Sequence, residues 1–224
     1  MLVKRYLTNP VTHEVDPVET RSTDMVHHVF TVASTDKAAV VRDLAAGRGR
    51  SVLFTRTKHQ AKKLAKQLTE SGIPAVDLHG NLSQTARERN LAAFAGGSSR
   101  VLVATDIAAR GIHVDEVALV VHVDPPAEHK AYLHRSGRTA RAGASGIVVT
   151  IMTQDQAGDV RTLARQAGIS PTFTRVQPNS PEVAQIRGDR AAHVTPAPTP
   201  VAAAPAPRPA RAAGQPSRRR RRPR

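Results

Sequence analysis

Between Val26 and about Gln177, short apolar runs alternate with helical patterns, and this alternation constrains the fold more than any other feature of the chain. HHVFTV, SVLFT, AVDLH, RVLVAT, VALVVHV and GIVVTIM read as strands, several of them apolar throughout and so buried on both faces. After the first strand, Ser34 or Thr35 is placed to cap a helix that stops at Gly47. Thr57 is placed to cap KHQAKKLAKQLTES, where Ala61, Leu64, Ala65 and Leu68 form one stripe and Gly72 ends the helix. Ser83 caps a helix containing Arg87, Leu91 and Phe94, EHKAYLHRSG is a short helix, and a last one spans Asp155 to Ala167. Strands alternating with helices predict an α/β domain, a parallel sheet with helices on both faces.

In such sheets ligands bind outside the carboxyl ends of the strands. Thr57, His79–Gly80, Thr105–Asp106 and Asp124 lie just past those predicted ends. Helix capping accounts for about half of this clustering of small and polar residues.

The flanks read differently. Residues 1–25 contain Pro10 and Pro17 and hold no sustained period, so they are expected to be a linker or an edge segment. From Pro178 to Arg224 the chain becomes rich in Pro, Ala and Arg, a composition that buries no core and predicts a disordered basic tail. The net charge is +15. Ten arginines against the single acid Asp189 put +9 of it after residue 186, leaving +6 on the rest. That distribution favours a polyanion, and nucleic acid over a membrane surface, because the tail has no apolar face. Cysteine is absent, which excludes disulfides and thiolate metal sites. No apolar run reaches the roughly 18 residues of a membrane span, and no signal-peptide core opens the chain, so a cytoplasmic location is expected.

Two stretches carry chemistry. In VLVATDIAARGIHV, Val101 to Val114, Thr105 offers a hydroxyl and a backbone N–H near a helix start, where phosphate is favoured. Asp106 repels phosphate and is suited to orienting an arginine. In HRSGRTARAG, His134 to Gly143, the arginines Arg135, Arg138 and Arg141 recur every three residues between Gly137 and Gly143. Only small residues separate the last two, leaving the guanidinium groups little shielded, and Gly137 is expected to let the turn approach an anion closely.

Together and in this order, ATDIAARGI and HRSGRTARAG resemble motifs V and VI of the DEAD-box RNA helicases, in particular bacterial RhlE-like members. VLFTRTK looks like motif IV, HGNLSQTARERNLAAF like the family's His-Gly segment with its Q-x-x-R element at Gln84 and Arg87, and VVHVDPP like the strand before motif VI. The resemblance covers 26–177 and implies a helicase C-terminal, second RecA-like domain. It implies that Arg138 and Arg141 are arginine fingers for the ATP γ-phosphate, with Gly111 and His113 on the nucleotide side. Thr57, Arg87 and Thr105 match the RNA-backbone contacts, and Gln84, Asp106, His134 and Arg135 match residues that couple the motifs. The scarcity of aromatic residues, 3%, fits backbone recognition without base stacking.

Two departures qualify the resemblance. The family carries Asp, associated with the nucleotide ribose, where this chain has His113. No G-x-x-x-x-G-K-[ST] and no D-E-A-D stretch occurs in these 224 residues. The implied cofactor, ATP with Mg2+, is therefore expected to bind only together with a first RecA-like domain, and no protein metal site is expected. The chain is expected to be inactive alone and to partner that domain and RNA, without sequence preference. A non-enzymatic RNA-binding or annealing module is the alternative, and half of a DNA helicase a weaker third.

Overall fold

The computed structural model describes residues 25–109, 117–140 and 145–195. Among them the strands are β1 (Met25–Thr31), β2 (Arg50–Phe54), β3 (Ala75–Leu78), β4 (Val101–Ala104), β5 (Val117–His122), β6 (Gly146–Met152) and β7 (Thr172–Arg175). The helices are α1 (Lys37–Ala45), α2 (Lys58–Glu70), α3 (Gln84–Ala95), α4 (Asp106–Ala109), α5 (His129–Ser136), α6 (Ala157–Gln166) and α7 (Pro181–Arg187). The strands form one sheet in the order β3-β4-β2-β5-β6-β1-β7, with every neighbouring pair parallel.

The two-residue period of the central strands divides the core between two faces. Leu53, Val103, Val121 and Val149 face a cluster with Val40 and Leu44 of α1, Ala61 and Leu68 of α2, and Val183 of α7. Val52, Leu102, Val120 and Val148 face the other way, onto Phe94 of α3, Tyr132 of α5 and Leu163 of α6. Helices therefore cover both faces. No helix among the described residues is long and apolar enough to cross a membrane.

Local chemistry sets most boundaries. Thr57 closes a capping box, accepting from Gln60 N at 3.2 Å while Gln60 Oε1 accepts from Thr57 N at 3.1 Å. Ser83 Oγ accepts from Ala86 N at 3.2 Å. The first helix departs from expectation. Its N-cap is Asp36, with no side-chain cap bond, because Ala33 O accepts from Asp36 N and Lys37 N and so draws Ser34 and Thr35 into the preceding turn.

The chain also folds beyond Gln177, where a tail was expected to begin. Pro181 opens α7 and Val183 is completely buried against α1. The next residues cross the edge where the strands begin: Ala191 N donates to Ala46 O at 2.9 Å and Val194 N to Gly72 O at 3.0 Å. Asp43, 6% exposed, accepts from Arg187 Nη1 at 2.6 Å and also from Arg190. Gly72, at φ +77°, lies directly under the His193 ring, which leaves no room for a Cβ. This strap is held by backbone bonds, two arginines and two apolar residues, Val183 and the partly buried Ile186, too short a pair to announce a helix in the sequence. Of the expected linker over 1–25 only Met25 is described, and it opens β1; residues 1–24 and the tail from 196 onward lie outside the described residues.

Candidate functional site

Because all strands are parallel, the residues after β2, β3, β4 and β5 gather at one edge. Thr57, His79, Thr105–Asp106 and Asp124 all stand there. Asp124 ties several elements together: its carboxylate accepts from Lys37 Nζ at 2.7 Å and its carbonyl from Arg135 Nη1 at 3.1 Å. His79 Nε2 lies 2.9 Å from Asp77 Oδ2.

The tightest contact at this edge joins Arg135 to Asp106. Nε meets Oδ1 at 2.5 Å and Nη2 meets Oδ2 at 2.7 Å, a bidentate pair between α5 and α4. Side chains on a helix lean toward its start, which lets Arg135 reach back from the last turn of α5. The guanidinium lies over the Phe54 ring, 5.3 Å from its centroid, and its side chain is only 5% exposed. Arg135 is thus well shielded.

Below Phe54 lies a layer that the motifs did not reveal. His122 is completely buried, edge-on to Phe54 and to Tyr132, and its Nδ1 is 3.1 Å from Thr150 Oγ1. Burial, and then the nearby Arg135 charge, hold His122 well below the usual histidine range. Tyr132 OH meets His27 Nδ1 at 2.9 Å, and burial pushes the phenol up to about 12. The layer keeps the floor under Arg135 neutral. An apolar run ending in VVHV was the one sequence cue to His122.

The arginine-bearing turn follows α5 and sits between the first residues of β5 and β6. The buried Thr139 hydroxyl donates to Val117 O, while Arg138 N donates to Arg135 O at 3.1 Å. Arg138 is half-buried. Gly137 has an ordinary φ of −65°, and a Cβ there would lie 3.4 Å from Leu133 O. The glycine that permits close approach is instead Gly146, where a Cβ would lie 2.5 Å from Thr139 Oγ1 and 2.6 Å from Ala140 N. Ala140 itself has φ +55°, an unfavourable conformation for a residue with a Cβ. Arg141, Gly111 and His113 lie outside the described residues.

Arg87 is half-buried and donates from Nη2 to Ala108 O at 2.7 Å, tying α3 to α4. Glu88 pairs with Gln84 Nε2 at 2.6 Å, not with Arg87. Thr57 remains exposed, although its hydroxyl serves the capping box. The N–H of Thr105 is not available to a phosphate, because it extends the β3–β4 ladder by donating to Leu78 O at 3.1 Å. His134 is exposed. Among the described residues no group of three or more His, Asp or Glu side chains converges to hold a metal ion.

The family described as "Helicase conserved C-terminal domain" matches residues 36–143. A DEAD-box ATP-dependent RNA helicase 9, mitochondrial, of Arabidopsis thaliana is 37% identical over 172 residues, 75% of this chain and 28% of that protein. The chain thus spans little more than a quarter of this relative. The crystal structure of the E. coli DEAD-box protein SrmB bound to regulator of ribonuclease activity A superposes with TM-score 0.59 at 32% identity, covering 69% of this chain and 95% of that one. Dbp5 of S. cerevisiae bound to RNA and ADP BeF3 gives TM-score 0.64 at 28% identity, covering 74% of this chain and 46% of that one.

Proposed function

Since the chain belongs to the DEAD-box RNA helicase family and carries its helicase C-terminal domain, we propose that it serves as the second RecA-like half of an ATP-dependent RNA helicase. In this reading Arg138 and Arg141 meet the γ-phosphate of ATP held by a first RecA-like domain, and Gly111 and His113 border the nucleotide. The donor set fits a polyphosphate: planar guanidinium groups, with the nearby carboxylate of Asp106 already engaged by Arg135. ATP with Mg2+, bound in that combination, supplies the phosphoryl-transfer chemistry. Thr57, Arg87 and Thr105 hold the RNA sugar–phosphate backbone, which positions a strand and reads no bases. Gln84, Asp106, His134 and Arg135 couple the two sides.

The observation that carries this reading is the bidentate Arg135–Asp106 pair. It joins the helix that leads into the arginine turn to the residue next to Thr105, which in this reading links the nucleotide side to the RNA side. The RNA and ADP BeF3 in the Dbp5 complex support the same pairing of ligands. With no Walker A sequence among its 224 residues, the chain by itself hydrolyses no ATP. The narrower assignment to bacterial RhlE-like members rests on motif pattern.

The test mixes the purified chain with a separately purified first RecA-like domain. RNA-stimulated ATP hydrolysis is expected only when both are present. Arg138→Ala or Arg141→Ala should lower it by about 10³ or more while sparing RNA binding. Turnover by the chain alone, lost in Arg138→Ala, would overturn the reading. The charge of +9 after residue 186 favours a second reading, a non-enzymatic RNA-binding or annealing module. In that case the mixture shows strand annealing and no ATP hydrolysis.

A further inference from the structure

One flank of the domain carries a groove that the proposed function leaves unused. It lies between α2 and the edge strand β3, encloses about 820 Å3, and opens at the strand-end edge next to Thr57. Lys58, Lys62 and Lys66 line it in a row, four residues apart. The helical rise puts about 6 Å between successive lysines, close to the separation of neighbouring phosphates along a nucleic-acid strand.

The acids in the groove are already engaged. Asp77 lies 2.9 Å from His79 and accepts from Asn90 Nδ2 at 3.3 Å, while Glu70 lies 3.7 Å from Lys66. Among the described residues, Lys58 and Lys62 have no ion-pair partner. The lining includes neither Phe nor Tyr, and its apolar members are Ala65, Ala75 and Leu82. A peptide would find no deep anchor there. A sugar–phosphate backbone needs none, only cations at its own repeat.

We propose that this groove is a second RNA track, resting on the RNA-binding reading above: a strand held at Thr57, Arg87 and Thr105 continues along α2 with successive phosphates on Lys58, Lys62 and Lys66. The track binds any sequence. It holds the part of a strand that extends past the strand-end edge.

The chain has no cysteine, so one introduced thiol carries a tethered iron chelate without competition. In the full chain, a chelate at Glu70→Cys, at the far end of the groove, should cut a 5′-labelled 12-nucleotide oligouridylate. Adding Lys58→Gln, Lys62→Gln and Lys66→Gln should reduce that cutting at least about fivefold, because three phosphate contacts are lost. These lysines are exposed on a helix surface, and a circular-dichroism melt checks that the variant is folded. A chelate at Thr85→Cys, two residues before Arg87, reports the strand-end edge. Cutting from Thr85 but not from Glu70 means that the groove takes some other occupant, such as an acidic peptide, and overturns the track while the RNA-binding reading stands. Cutting from Glu70 that survives the triple glutamine change also overturns it. Cutting from neither position overturns the RNA-binding reading itself.

Discussion

Gly146 begins β6 directly against Thr139, with so little space that a Cβ would come within 2.5 Å of the threonine hydroxyl. Thr139 also donates to Val117 O, so the turn carrying Arg138 is clamped between the first residues of two neighbouring strands. The clamp predicts that Gly146→Ala moves the turn. We expect a loss of about 1–3 kcal/mol in stability from overpacking. A marked fall in ATP hydrolysis with a first RecA-like domain should accompany it, with RNA affinity unchanged. Gly137→Ala serves as the contrast, since its φ is ordinary and its Cβ would make only a normal contact. Urea melts and ATPase assays on both variants decide; equal effects would show that Gly146 holds nothing in place.

A second prediction concerns pH. His122 is held well below the usual histidine range, and burial lowers His27 and His28 as well. The unfolded chain takes up protons on these groups as pH falls through about 6.5, while the folded chain resists doing so. The unfolded state then binds more protons, so stability rises with pH in this window. Stability is complete above about pH 6.5 and falls below it, His122 contributing a slope of about 1.4 kcal/mol per pH unit. Urea melts at pH 8, 6 and 5 should show this decline, and His122→Gln should flatten it even where the substitution lowers stability throughout. A slope that is unchanged in the variant would assign the decline to other groups.

How much of this was legible in the sequence depended on the kind of force involved. The central strands were readable because burial on two faces leaves an uninterrupted apolar word, as in Val101–Leu102–Val103–Ala104. Thr57 and Ser83 were readable because a cap is a local bond. Asp106 and Arg135 stand 29 residues apart, and their pairing was expected from charge and motif order. What stayed hidden was non-local or made of backbone. Gly146 matters because of Thr139, seven positions away across a turn, and Gly72 because of His193, on a strap with a single buried valine in its helix. Thr105 offered an N–H on paper that the sheet ladder had already taken.

The strap leads to a third prediction. A chain ending at Gln177 loses Val183, which is completely buried against α1, together with both arginines that pair with Asp43. Losing the burial of the valine costs about 1.5–3 kcal/mol, and the lost pairs add to it. The shorter chain should therefore melt well below one ending at residue 195. Asp43→Asn should destabilise the longer chain, where it removes the pairs with Arg187 and Arg190, and leave the shorter one nearly unchanged. Calorimetry on the four proteins checks this, and equal melting of the two lengths would mean that the strap merely rests on the domain.

The last prediction separates the RNA affinity of the folded part from that of the residues after 195. Eight arginines follow that position, Arg208, Arg211, Arg218, Arg219, Arg220, Arg221, Arg222 and Arg224, with no acid among them. Each phosphate neutralised on a single strand adds about −0.7 to the slope of log K against log salt. Five to eight engaged arginines therefore give about −3.5 to −5.6, and the folded contacts half of that or less. The comparison must stop at 195 and not at Pro178, since ending earlier also removes the strap and confuses binding with unfolding. Salt titrations of oligouridylate and of a mixed-sequence RNA, with the full chain and with a chain ending at 195, should show the steeper slope and higher affinity in the full chain alone. Both RNAs should bind it equally, because phosphate contacts carry no base information. If the two chains bind with the same affinity and slope, the arginine-rich segment serves as a spacer or docks a protein, and the edge at Thr57 and Arg87 carries the RNA.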